Sequence, residues 1–131
     1  MVASQRPDGD GMPAIVVLHV GIDSTLLTSR SEVLRRAGFI IVPTASVAEA
    51  MRIFLSGDFD MVIVCHSTSA AERRALVNLV HSHSSSVPVV LVTMFPEQDF
   101  IVDAVVDNEP KELARELARV LDQYGPPHKI A

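Results

Sequence analysis

One cysteine, no tryptophan, one tyrosine and a deficit of basic residues mark this sequence, and each scarcity closes off a class of function. Cys65 alone cannot form an internal disulfide, and a single thiol within an apolar stretch suits a reducing compartment, so a cytoplasmic protein is expected. Aromatic residues make up only 5% of the chain, which leaves few stacking platforms for single-stranded nucleic acids or sugars. Lys and Arg number 11 against 16 Asp and Glu, giving a net charge of -5 and a pI near 5.4. Neutralising phosphates needs clustered bases that are missing here, so nucleic acid is not an expected partner and a basic protein surface suits the charge better. No stretch approaches the roughly 20 apolar residues of a membrane span, and Met1 to Pro13, with Arg6, Asp8 and Asp10, has no continuous apolar run. Neither membrane insertion nor export is expected.

What is present suffices for one core. The 131 residues, 48% hydrophobic and 21% charged, fit one domain of the usual size of about 100–150 residues. Residues 1–13, rich in Gly, Pro, Asp and Ser, read as a flexible leader, residues 14–124 as the domain and residues 125–131 as a tail. Within the domain, short β-branched runs alternate with helical patterns. The strand-like runs are Ala14 to Leu18, Phe39 to Val42, Met61 to Cys65, Val87 to Val92 and Asp103 to Val106, and the third is the most uniformly apolar. Between them, Ser24 to Ala37 ends at Gly38, a C-terminal stop, and Ser46 with Glu49 and Ser69 with Glu72 read as capping boxes opening two more helices. Pro110 opens a last helix over Lys111 to Tyr124, with Leu113, Leu117, Val120 and Leu121 on one face. Strict alternation predicts an α/β, doubly wound, flavodoxin-like three-layer sandwich with a five-stranded parallel sheet. Only about ten residues separate Thr93 from Asp103, barely a crossover's length, so the helix expected there is predicted to be missing or reduced to about one turn.

With this order of elements, several segments resemble the receiver domain of bacterial two-component response regulators. Phe59 to Cys65 (F-D-M-V-I-V-C) resembles the third strand of that family, usually Tyr-Asp-Leu-Val-Leu-Leu-Asp, with Cys65 standing where the phosphate-accepting Asp would be. Ala37-Gly38-Phe39 resembles the end of its first helix, Ala45 to Met51 the start of its second, and Val87 to Thr93 its fourth strand, ending in the Thr or Ser that contacts a phosphoryl oxygen. The resemblance covers Ala14 to Leu121 and implies a phosphorelay signalling domain, with partners such as a kinase, a regulator or a second copy. The departures fall on the chemistry. Two acids that would hold Mg²⁺ after the first strand are replaced by Leu18 to Asp23, with at most Asp23 available, and Val106 to Pro110 lacks the expected Lys. Mg²⁺ prefers oxygen ligands in near-octahedral order, which a thiol or an aliphatic side chain does not supply. Of the catalytic set Thr93 alone remains, so a pseudo-receiver without aspartyl phosphorylation, catalysis, cofactor or metal is expected.

His19, Asp23, His66 and Thr93 with Cys65 form the expected degenerate pocket at the strand carboxyl ends, where doubly wound folds place ligands. Two readings stand side by side: a small core thiol with a hydrogen-bonded His66, or a redox or ligand-sensing site in which His66 lowers the thiol pKa. His81 and His83, two apart, do not share a helix face and read as a solvated helix end. No Gly-x-Ser-x-Gly elbow and no glycine-rich phosphate turn occurs. Phe95, Phe100, Ile101, Arg115 and Arg119 are the candidate partner contacts, the charges of the last helix reading equally as a solvated face.

Overall fold

The computed structural model describes residues 14–93, 101–107 and 109–124. Its elements are β1 (Val16–Val20), α1 (Ser24–Arg36), β2 (Ile40–Thr44), α2 (Val47–Ser56), β3 (Met61–Cys65), α3 (Ala70–His83), β4 (Val89–Thr93), β5 (Ala104–Asp107) and α4 (Pro110–Tyr124). All strand pairs are parallel, in the order β2-β1-β3-β4-β5, so the strand order reverses between β1 and β3. The predicted doubly wound sheet is present; β3 matches its apolar run, and the other four strands sit one or two residues later than theirs suggested. Among the described residues no helix lies between β4 and β5. Residues 94–100, where a reduced turn would fall, lie outside the described part, as do the predicted leader and tail.

Period-two alternation sends each strand's side chains to two separate cores. Val17, Ile41, Met61, Ile63, Val90, Val92 and Val106 meet Leu34 of α1 and Leu113, Leu117 and Val120 of α4. On the other face Leu18, Val20, Val62, Val64, Val89 and Leu91 meet Val47, Ala50 and Phe54 of α2 and Leu76, Val77 and Val80 of α3. Covered on both faces, β3 and β4 are buried throughout, which is why they read as continuous apolar runs. No helix among the described residues is long and apolar enough to cross a membrane.

Helix ends follow local chemistry. Ala37 caps α1, and Gly38, at φ 104°, donates its N–H to Arg35 O while Phe39 N bonds Leu34 O, a left-handed turn that suits glycine. Ser69 and Glu72 form the full reciprocal box at the start of α3. The box predicted at Ser46 is half made: Ser46 accepts from Glu49 N, but the Glu49 carboxylate accepts instead from the Thr44 hydroxyl at 3.2 Å, because buried Thr44 ends β2 beside it.

At the amino edge of the sheet one device occurs twice. Asp60, immediately before β3, accepts Val16 N at 2.9 Å through Oδ2 and donates its own N–H to Val16 O at 2.8 Å. Asp103, immediately before β5, accepts Val89 N at 2.7 Å and donates to Val89 O at 2.9 Å. Each carboxylate closes a two-bond ring that occupies the first orphan N–H of the neighbouring strand. His81 Nε2 also lies 2.8 Å from Asp103 Oδ2, tying the end of α3 to this edge, whereas His83 meets the Phe54 ring edge-on. At the β2 margin, Ile40 N bonds Ile15 O and Thr44 O accepts from Gly21 N, so residues 40, 42 and 44 face β1 and Pro43 turns its donor-less nitrogen outward. Replacing Asp60 by Ala should lower the urea-derived stability by about 1–3 kcal/mol by stranding Val16 N–H, while Asp60→Asn, which keeps an acceptor, should recover much of the loss. Equal stabilities for the two variants would show that the ring contributes nothing.

Candidate functional site

The carboxyl ends of β1 and β3 flank the point where strand order reverses, the usual ligand crevice of open α/β sheets. Cys65 ends β3 and is buried, in register with Val92 of β4. Gly21 follows β1 beside it: a Cβ added there would sit 3.3 Å from Leu27 Cδ1 and 3.7 Å from Cys65 Cβ, so the backbone after β1 passes close beside the Cys65 side chain. Beyond Cys65 the chain turns sharply. Thr68 donates both its N–H (3.1 Å) and its hydroxyl (2.7 Å) to Cys65 O, and Arg73 of α3 donates to Thr68 O. Burial pushes the Cys65 thiol up, but hydrogen bonds from Ser67 side chain and backbone and from Arg30, with the Arg30 charge, outweigh it and hold the pKa below the ordinary 9.0. His66 is exposed, with Nδ1 3.8 Å from Sγ, and the lowering comes from Ser67 and Arg30, not from the imidazole that the sequence suggested.

His19 does not line a crevice. β1 runs two residues beyond the predicted Leu18, which places His19 inside the strand, wholly buried under α1, with Nδ1 2.8 Å from Ser31 Oγ. Burial, then the charges of Arg30 and Arg35, push its pKa from 6.5 down to about 3, so the ring is neutral at ordinary pH. Asp23 is exposed and serves as N-cap of α1, its Oδ1 accepting from Thr25 N at 3.0 Å and Leu26 N at 3.1 Å. Thr93 ends β4, nearly buried, opposite Asp107 of β5. Asp107 and Glu109 are also turn and helix-entry acceptors: Asp107 Oδ1 takes Glu109 N at 2.9 Å and Glu109 Oε1 takes Lys111 N at 3.3 Å.

The structure thus brings Cys65, Ser67 and Arg30 together, with His19 and Ser31 beside Arg30, and leaves Asp23 and His66 at the solvent edge. Arg30, 5% exposed, and Ser31, 1% exposed, were not picked out from the sequence. Their signal is positional: Leu27, Arg30, Ser31 and Leu34 fall on one helix face, so two polar side chains interrupt an inward stripe and require polar partners beneath them. Among the described residues no group of three His, Cys, Asp or Glu side chains has a metal-holding arrangement, and the donors at the crevice do not suit Mg²⁺.

The candidate contacts divide similarly. Arg115 pairs with Glu112 at 3.0 Å and Arg119 with Glu116, each pair an exposed guanidinium and a half-buried carboxylate within α4, while Ile101 packs partly buried against the α2/α3 core. Phe95 and Phe100 lie outside the described residues.

The sequence matches no family model and no curated protein. Solved structures are similar to it. A CheY-like response regulator receiver domain protein from Methanospirillum hungatei superposes with a TM-score of 0.73 at 17% identity over 86% of this chain and 97% of its own. The fold is that of a response regulator receiver domain. Chemotaxis protein CheY4 of Vibrio cholerae gives a TM-score of 0.73 at 20% identity, covering 83% of this chain and all of its own. Response regulator TrrA of Thermotoga maritima, solved in complex with Mg²⁺-BeF, gives 0.69 at 18% identity over 84% and 98%. In this receiver fold Cys65 closes the central strand β3 at its carboxyl end.

The depressed His19 pKa fixes a sign. Above about pH 6.5 the ring is neutral folded and unfolded; as pH falls toward about 3 the unfolded chain takes the proton first, so stability is lost across that window. Between about pH 7.5 and about pH 4.5 wild type should lose roughly 2–3 kcal/mol more than His19→Leu in urea unfolding. Parallel losses in the two proteins would contradict a buried, neutral imidazole.

Proposed function

We propose that this chain is a receiver-fold signalling module that works by binding a protein partner, without Mg²⁺-dependent aspartyl phosphorylation and without catalysis of its own. The observation that supports this most directly is the engagement of the polar groups at the strand carboxyl ends. Cys65 is buried beside Gly21, with Ser67 and Arg30 lowering its pKa; Asp23 caps α1; Asp107 and Glu109 fix the entry to α4. Aspartyl phosphorylation needs a carboxylate nucleophile, a cation held by further carboxylates and a positive group for the phosphoryl oxygens. Here the nucleophile position is a thiol, and the acids near it accept backbone N–H groups of their own loops. Arg30 supplies positive charge from beneath the strand ends, already directed at the thiol. The net charge of -5 favours a partner with a basic face, and a kinase, a regulator or a second copy each suits a receiver fold.

Thermal unfolding with Mg²⁺ plus beryllofluoride, a phosphoryl mimic, should match unfolding with Mg²⁺ alone, and acetyl phosphate should leave the intact mass unchanged. Cys65→Asp should remain unlabelled as well, because one carboxylate does not restore the cation site. Stabilisation of several degrees by beryllofluoride in wild type would overturn the reading.

A second reading, a redox or ligand-sensing thiol, is favoured by one observation, the Arg30 and Ser67 contacts that hold the Cys65 pKa down. On this reading the native protein takes up one iodoacetamide at neutral pH, and Arg30→Met slows the uptake at least tenfold. A thiol that reacts only after unfolding makes Cys65 a core residue and removes this reading.

A further inference from the structure

We draw no further inference here: the strongest candidate, the buried cluster of Arg30, Cys65 and His19 beneath α1 at the carboxyl ends of β1 and β3, belongs to the site already taken up in the second reading.

Discussion

A parallel sheet with helices on both faces has no wet side, so the polar groups that enter it draw their partners from inside it. That constraint organises this molecule. His19 enters the face under α1, where Ser31 meets its Nδ1 while the buried Nε2 is left without a hydrogen-bond partner, and its ring is kept neutral because burial and two guanidinium groups all act against the proton. Asp60 and Asp103 enter at the amino edge and are met by the first N–H of a neighbouring strand. Around these points the apolar side chains divide into two cores without exchanging faces, which requires an unbroken register in all five strands.

The same constraint accounts for the state of the crevice. An open strand end on this fold can gather carboxylates for a cation, but in this chain they are absorbed by local backbone: Asp23 by the first turn of α1, Asp107 and Glu109 by the turn into α4. Arg30 is the unusual element. A guanidinium buried at the central strand ends introduces a fixed positive charge whose influence reaches both Cys65 and His19, so the electrostatics there are set by the protein itself.

Much of the fold was legible in the sequence because parallel strands and amphipathic helices have different periods. Met61 to Cys65 matched its strand to the residue, and Ser69 with Glu72 opened its helix as the pattern required. The misreadings share a cause. β1 appeared to stop at Leu18 because histidine looks like a loop residue, and only the hydroxyl of Ser31, twelve positions away, makes its burial tolerable. Glu49 turned from the expected box because Thr44, in another element, offered a nearer hydroxyl. In the crevice, Cys65 and its place at the strand end were readable by position, but the partner that shifts it lies on α1, and neighbours in sequence, such as His66, were a poor guide to neighbours in space. Caps and periods are local and can be read; polar matching across elements is not.

The outward nitrogen of Pro43 has a consequence for how such a molecule can assemble. Along β2 only Ile41 turns an N–H to the free margin, so an approaching strand finds a single donor where a continuous ladder needs one at every second residue. Backbone zippering, whether with another copy or with an extended peptide, has no template on that side. Recognition at this margin therefore has to be written in side chains, which lets the surface change specificity by substitution without putting the sheet at risk of propagating from molecule to molecule.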